Sequence, residues 1–184
     1  LRVERSNGPA EVVVNGFNGQ PFNPGASVGF YDLAVTDSFI AWIFTGEDPS
    51  PALYVAGPHG EHRRLIATGF PYHLQAQGDR MVWANNGDIW MYTRSTDTVE
   101  NLTHDAPAQW NPWVHDDLVV WMDQRDTPGS WSHGNPNNPE VYAMNLRDRV
   151  PVRITHDPPE RPVYQRDVTT DGRWIVYRDF RINA

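Results

Sequence analysis

The chain has 184 residues, 39% of them hydrophobic, and a formal net charge of −8. That length supports one domain with a sizeable core, and no apolar run approaches the length of a membrane-crossing helix. All 15 basic residues are Arg and none form a basic stripe, which excludes phosphate-driven duplex binding, while 0 Cys excludes disulfides, thiolate metal sites and a cysteine nucleophile.

The sequence starts at Leu1 with neither an initiator Met nor an apolar leader, and reads as a processed product or a fragment. Two short candidate strands come first, at 1–5 and 11–15, joined by the turn Ser6-Asn7-Gly8. A pattern of turn, apolar run and aromatic anchor then begins, with Thr36-Asp37-Ser38-Phe39-Ile40-Ala41-Trp42 as its first copy. It returns as Gly78-Asp79-Arg80-Met81-Val82-Trp83, as Asp116-Asp117-Leu118-Val119-Val120-Trp121, and as Asp171-Gly172-Arg173-Trp174-Ile175-Val176-Tyr177. A second apolar run follows each of the first three anchors, at 52–56, 88–92 and 140–144, and a third closes the unit at 64–68, 100–105 and 153–157. The stretch 126–138, rich in Pro, Gly, Asn and Ser, is a loop grown on one copy, and removing it restores the spacing.

Short strands repeating at about 40 residues are the signature of a β-propeller with one four-stranded blade per repeat. The expected fold is therefore all-β: a β-propeller of four-stranded antiparallel blades in a single domain, 1–184. The repeats run 29–68, 73–105, 112–157, and 164–181 with 1–15. Two arrangements fit. In one, about four blades close by pairing strands from both chain ends; in the other, the chain is a partial arc of a larger ring, completed by self-association or another chain. The anchors Trp42, Trp83 and Trp121 are expected between blades, because a small sheet cannot cover its own faces.

The run Leu102-Thr103-His104-Asp105, Trp110-Asn111-Pro112, Val119-Val120-Trp121-Met122-Asp123-Gln124-Arg125 and Glu140-Val141-Tyr142 resembles the repeat of TolB-type bacterial β-propellers. The resemblance covers about 30–181 and is most specific from Gly78 to Arg181; Trp42-Ile43-Phe44-Thr45 and Trp83-Ala84-Asn85-Asn86 lack its Asp-x-Arg element. It implies an exported bacterial protein, periplasmic or extracellular, that binds a protein or cell-envelope partner without catalysis. The fold itself hosts many functions.

Antiparallel blades place the fourth-to-first and second-to-third connections on one face of the disc. That face gathers the loops 68–73, 103–110 and 155–162 and the 126–138 insertion, together with His73, His104, His133, His156, and His115 if its strand begins late. Candidate binding residues are Trp110, Trp113, Trp131, His133 and Tyr164, aromatic or polar groups suited to anchor an interface. The repeated Thr-His-Asp has two readings. His104, His156, Asp105 and Asp157 would ligate a divalent metal such as Mn²⁺ near the axis, or Thr and Asp bond the turn backbone and leave His exposed. Asp126, Asn135, Asn137, Asn138 and Glu140 offer oxygens to Ca²⁺ but lack the spacing of a helix-loop-helix calcium loop. Asp123-x-Arg125 and Asp179-x-Arg181 are either ligand grips or internal ion pairs.

No nucleophile elbow, His-Glu-x-x-His pair or phosphate loop occurs. The expected function is a non-catalytic interaction module with no established cofactor. The alternatives are the propeller portion of a hydrolase or polysaccharide lyase with an axial metal, or a carbohydrate-binding propeller.

Overall fold

The computed structural model describes residues 2–3, 11–12, 29–45, 51–104, 108–126, 139–156 and 165–180. Every regular element among them is a strand. Two short strands come first, β1 (Arg2–Val3) and β2 (Glu11–Val12). Then follow β3 (Gly29–Val35), β4 (Ile40–Thr45), β5 (Ala52–Ala56) and β6 (Arg64–Ala67), hydrogen-bonded in that order as one antiparallel sheet. A second sheet holds β7 (Tyr72–Gln77), β8 (Arg80–Asn85), β9 (Asp88–Thr93) and β10 (Thr98–Asn101). The third holds β11 (Gln109–His115), β12 (Leu118–Asp123), β13 (Glu140–Asn145) and β14 (Pro151–Arg153), and the last pairs β15 (Gln165–Thr170) with β16 (Ile175–Asp179).

The second strand of each blade explains the stacking. In β8 and β12 every residue after the first is buried, so both faces of the strand are covered. A strand lying between two other sheets needs apolar side chains on both faces, which is why Met81-Val82-Trp83-Ala84 and Val119-Val120-Trp121-Met122 are continuous rather than alternating. The anchor faces the preceding blade and the residue before it faces the next. Trp83 and Tyr92 pack with Phe39, Ala41 and Ile43 of the first blade. Val82 and Ala84 pack with Val114, Trp121 and Tyr142 of the third, and Val120 and Met122 with Val168, Ile175 and Tyr177. Each such side chain stabilises by about 1.5–3 kcal/mol on full burial.

The hairpin from β8 to β9 turns on Asn86 and Gly87, both left-handed (φ 54 and 88), a residue pair that suits this two-residue turn. At the other end of the blades, Arg80 reaches Asp117 at 3.0 Å and Arg149 reaches Glu100 at 2.9 Å, so ion pairs join neighbouring blades around the rim of the core.

The terminal strands do not assemble as one blade among the described residues. β1 and β2 form their own ladder, Arg2 opposite Val12 and Val3 opposite Glu11, and no ladder joins them to β15 and β16. The strand that would have put His115 among the long loops does not begin late. His115 ends β11, at the short turn into β12, and so lies on the face opposite the long loops.

Candidate functional site

The first strands of successive blades touch one another, β3 with β7, β7 with β11 and β11 with β15, and so form the innermost wall. Each of the four carries a β-bulge, between Phe30 and Asp32, Tyr72 and Gln75, Trp110 and Trp113, and Arg166 and Thr169. A bulge adds an unpaired residue and re-aims its side chain away from the pleat. His73, Asn111 and Asp167 occupy three of these bulges; in the first strand the skipped position is 31, and Asp32, opposite Ile43, follows it. Each of the four polar residues stands ten before its aromatic anchor. His73, Asn111 and Asp167 have left-handed backbone (φ 53, 56 and 53), which short polar residues adopt more readily than β-branched ones.

Three of these residues lie near enough to interact electrostatically. Desolvation among the packed strands lowers the pKa of His73, and the carboxylates of Asp32 and Asp167 act on it in the opposite sense. Asp32 comes from the first blade, His73 from the second and Asp167 from the fourth, so their electrostatic coupling runs across the inner wall. The result is a polar collar with two carboxylates, an imidazole whose neutral form burial favours, and an amide.

Side chains lock the collar's backbone. Asp32 accepts the Leu74 amide at 2.6 Å through Oδ2 and the Leu33 amide at 3.0 Å through Oδ1. Gln75 accepts the Val114 amide at 2.6 Å, and Gln77 accepts the Asp116 amide at 3.1 Å. The first inner strand is therefore stitched to the second, and the second to the third, by side-chain acceptors that meet backbone amides. Asp167 is held by Arg178 at 2.8 Å, and the Tyr72 ring lies 5.0 Å from the His73 ring, with burial raising the Tyr72 pKa. Chemically, the collar offers oxygen acceptors and negative charge, the complement of a guanidinium or ammonium group.

The residues singled out from sequence are other than these four. Trp110 is half-buried and packs against the cores on both sides of its blade. Trp113 is 37% exposed on β11, two positions beyond Asn111, beside the collar. Trp131, His133 and Tyr164 lie outside the described residues, as do Asp105 and Asp157. His104 and His156 are exposed at equivalent positions of adjacent blades. Among the described residues, no three or more His, Asp or Glu gather to hold a metal.

The threonine before each histidine is buried and bonded. Thr103 accepts the Ile89 amide at 2.8 Å and donates to Gln109 at 2.9 Å. Thr155 accepts the Val141 amide at 2.8 Å and shares its one proton between Gln165, at 2.8 Å, and Glu140. Gln109 and Gln165 begin the next blade, so this threonine latches the end of one blade to the start of the following one. The first junction has no such pair: Pro71 stands where the glutamine would be, and Asn85 instead accepts from Phe70 N and donates to the Thr68 carbonyl.

Asp123 and Arg125 form an internal ion pair. The guanidinium meets Asp123 Oδ2 at 2.7 and 3.0 Å, and Trp121 Nε1 donates to the same oxygen at 2.8 Å. Arg181 of the second such pair lies outside the described residues. At the base of the insertion, Arg153 stands between Glu140 at 2.5 Å and Asp126 at 3.3 Å; burial, and then the bond that Tyr142 donates to Asp126, drive the Tyr142 phenol pKa strongly upward. A fixed positive charge thus already occupies the space between two carboxylates suggested for calcium.

The collar was missed because the repeats were aligned on their apolar runs. Counting back ten positions from each anchor gives Asp, His, Asn and Asp, a polar column in otherwise apolar or amphipathic strands. That column was available to sequence reasoning; the bulges that turn it inward were not.

No protein-family model and no curated protein matches the chain. Solved structures do. The β-propeller domain of the Trilobed protease from Pyrococcus furiosus superposes with TM-score 0.53 at 11% identity, over 70% of this chain and 44% of that one. The fold is a β-propeller. A TolB protein from Agrobacterium tumefaciens matches this propeller with TM-score 0.51 at 14% identity, over 69% of this chain and 45% of the other. The acylaminoacyl peptidase of Pyrococcus horikoshii matches with TM-score 0.56 at 12% identity, over 84% of this chain and 28% of the peptidase. The propeller therefore spans less than half the length of each of these relatives, and identities this low show the fold alone.

Proposed function

We propose that this propeller is a non-catalytic interaction module of an exported bacterial protein, which binds a protein or cell-envelope partner through its loop-rich face. The observation that carries the reading is the collar of Asp32, His73, Asn111 and Asp167, one polar residue from each innermost strand, three of them in bulges, with Asp32 holding the Leu74 amide inside the second bulge. Bulges that re-aim polar side chains out of the pleat on neighbouring strands suit a recognition site. The group it fits is cationic and rich in N–H donors, such as an arginine or lysine side chain of the partner, with Trp113 beside it as an apolar contact. The exported setting rests on the TolB-like repeat.

Calorimetric titration with an oligo-arginine peptide, with oligo-glutamate as the control, tests this reading. Asp32→Asn/Asp167→Asn keeps the acceptor for Leu74 while removing both charges. It is expected to weaken oligo-arginine binding by at least about tenfold, since a charge-assisted hydrogen bond contributes roughly 1.5–3 kcal/mol. An unchanged isotherm removes the collar as the site.

A second reading is favoured by the likeness to peptidase propellers: the chain is the propeller portion of a longer hydrolase. An immunoblot of source cells that shows a band far larger than 184 residues supports it, and a band of this length discards it.

A further inference from the structure

His73 stands where a proton and a cationic ligand compete for the same carboxylates. It sits in the bulge of β7 with left-handed backbone (φ 53), between Tyr72 and Leu74. Asp32 Oδ2 accepts the Leu74 amide at 2.6 Å, so a carboxylate of the first blade is fixed one residue from the imidazole. Asp167, from the fourth blade, also acts on His73 through its charge. The third blade holds Asn111 at this position, an amide that takes up no proton. Within the collar, His73 is therefore the member whose ordinary titration falls between pH 5 and 8.

The strands around β7 bring few other charges toward it. β3 contributes Asp32. Arg80 of β8 lies opposite Gln77, away from His73, and is bound to Asp117 at 3.0 Å. His115 ends β11 four residues beyond Asn111, 4.0 Å from Asp116. β15 contributes Asp167, which Arg178 of β16 meets at 2.8 Å, with Arg166 next to it in the chain. Within β7 the Tyr72 ring lies 5.0 Å from the imidazole, and burial raises its pKa, so it is uncharged at neutral pH. Burial lowers the His73 pKa, and although Asp32 and Asp167 oppose it the net direction is downward. The ring therefore takes its proton only below the ordinary histidine value near 6.5.

We infer that protonation of His73 governs this site: a cationic side chain of the partner binds the collar while the imidazole is neutral and is released when it takes a proton. Capture at neutral pH is thus undone in acid. The inference rests on the collar being the binding site. A guanidinium or ammonium group and the imidazolium are like charges drawn to the same carboxylates, so each weakens the other, and by the same factor. Where the ligand excludes the proton fully, affinity falls about tenfold per pH unit below the imidazole's pKa.

Calorimetric titration with oligo-arginine at about pH 7.5, 6.0 and 5.0 tests the inference, a window that spans the ordinary histidine value and stays above the ordinary carboxylate range. Circular dichroism at each pH confirms that the folded chain is being titrated. Arginine keeps its charge throughout, so any change belongs to the protein. Wild type is expected to bind at least about threefold more weakly at the lowest pH than at the highest. At the middle pH, binding should release protons, read as a heat that varies with the ionisation enthalpy of the buffer. His73→Asn gives the second blade the residue of the third and suits a left-handed backbone. It should bring the ratio of the two affinities close to one and abolish the buffer dependence. Equal affinity at the highest and lowest pH, or wild-type pH dependence in His73→Asn, overturns the inference and leaves the collar as a binding site. Absence of binding at every pH overturns both. If the fold is lost at the lowest pH, the buffer-dependent heat at the middle one decides alone.

Discussion

The latch at Thr155 gives a direct test of why Thr-His-Asp recurs. Thr155→Val keeps the volume and the branched shape while deleting the hydroxyl. The buried Val141 amide then loses its acceptor, which costs about 1–3 kcal/mol, and the Glu140 and Gln165 oxygens lose their shared donor. Glu140 keeps its contact with Arg153, so the second loss is partial. The sum is about 2–4 kcal/mol. Thr103→Val removes the acceptor of the Ile89 amide and the donor to Gln109, but touches no carboxylate. It should therefore cost less than Thr155→Val.

Urea unfolding followed by tryptophan fluorescence is the assay. At a urea slope of about 1–3 kcal/mol/M, Thr155→Val should lower the midpoint by roughly 1–2 M with little change in slope. Thr155→Ser retains the hydroxyl and should lie near wild type. The reasoning is refuted if Thr155→Val shifts stability by less than about 0.5 kcal/mol, the range of ordinary surface changes. A Thr155→Ser variant as unstable as Thr155→Val would refute it equally, since methyl packing and not the hydroxyl would then be what matters.

Two further outcomes are expected. Trp121→Phe should cost about 1.5–3 kcal/mol beyond its lost volume, because Trp121 Nε1 donates to the buried Asp123 carboxylate. Trp83→Phe should cost visibly less, since Trp83 Nε1 is buried with no acceptor and its removal deletes an unsatisfied donor; equal losses in calorimetric unfolding would contradict this. For His73, the folded state holds the pKa below the ordinary value, so the unfolded chain binds the proton more readily. Stability should therefore fall as pH drops from about 7.5 through the ordinary histidine range near 6.5, and His73→Gln should flatten that slope in denaturation midpoints measured across the window. An identical slope in the variant would remove His73 from the titration.

The blade architecture was legible because it is written in residue types that burial enforces. Trp42, Trp83 and Trp121 recur because each fills the space between two sheets, and the continuous apolar runs of β8 and β12 report sheets covered on both faces. The internal role of Asp123 and Arg125 was also within reach, since a carboxylate and a guanidinium two positions apart satisfy each other at little cost in chain order. The position of His115 was not. One residue of strand length decides which face of the disc it meets, and strand ends are set by the whole ladder rather than by local sequence. The latch was half legible. Thr-His-Asp was visible as a repeat, but the partners Gln109 and Gln165 lie across a loop, and nothing local marks them as acceptors for Thr103 and Thr155.

The latch and the collar explain each other. Gln109 and Gln165 fix where β11 and β15 begin, because each is tied to the threonine that ends the blade before it. Two residues further along come Asn111 and Asp167, the left-handed bulge positions. A strand whose origin is pinned this closely can hold a bulge without slipping register, since a slip by one residue would carry its apolar set off the core face. The second blade lacks the Thr–Gln pair and has Pro71 in its place, two residues before His73. There Asn85 grips Phe70 and Thr68 ahead of the bulge, and Asp32 grips Leu74 within it, on either side of His73. Three innermost strands are thus anchored just ahead of their polar residue by two different sets of side chains. The position of the collar, and not merely its composition, is what the surrounding bonds hold in place.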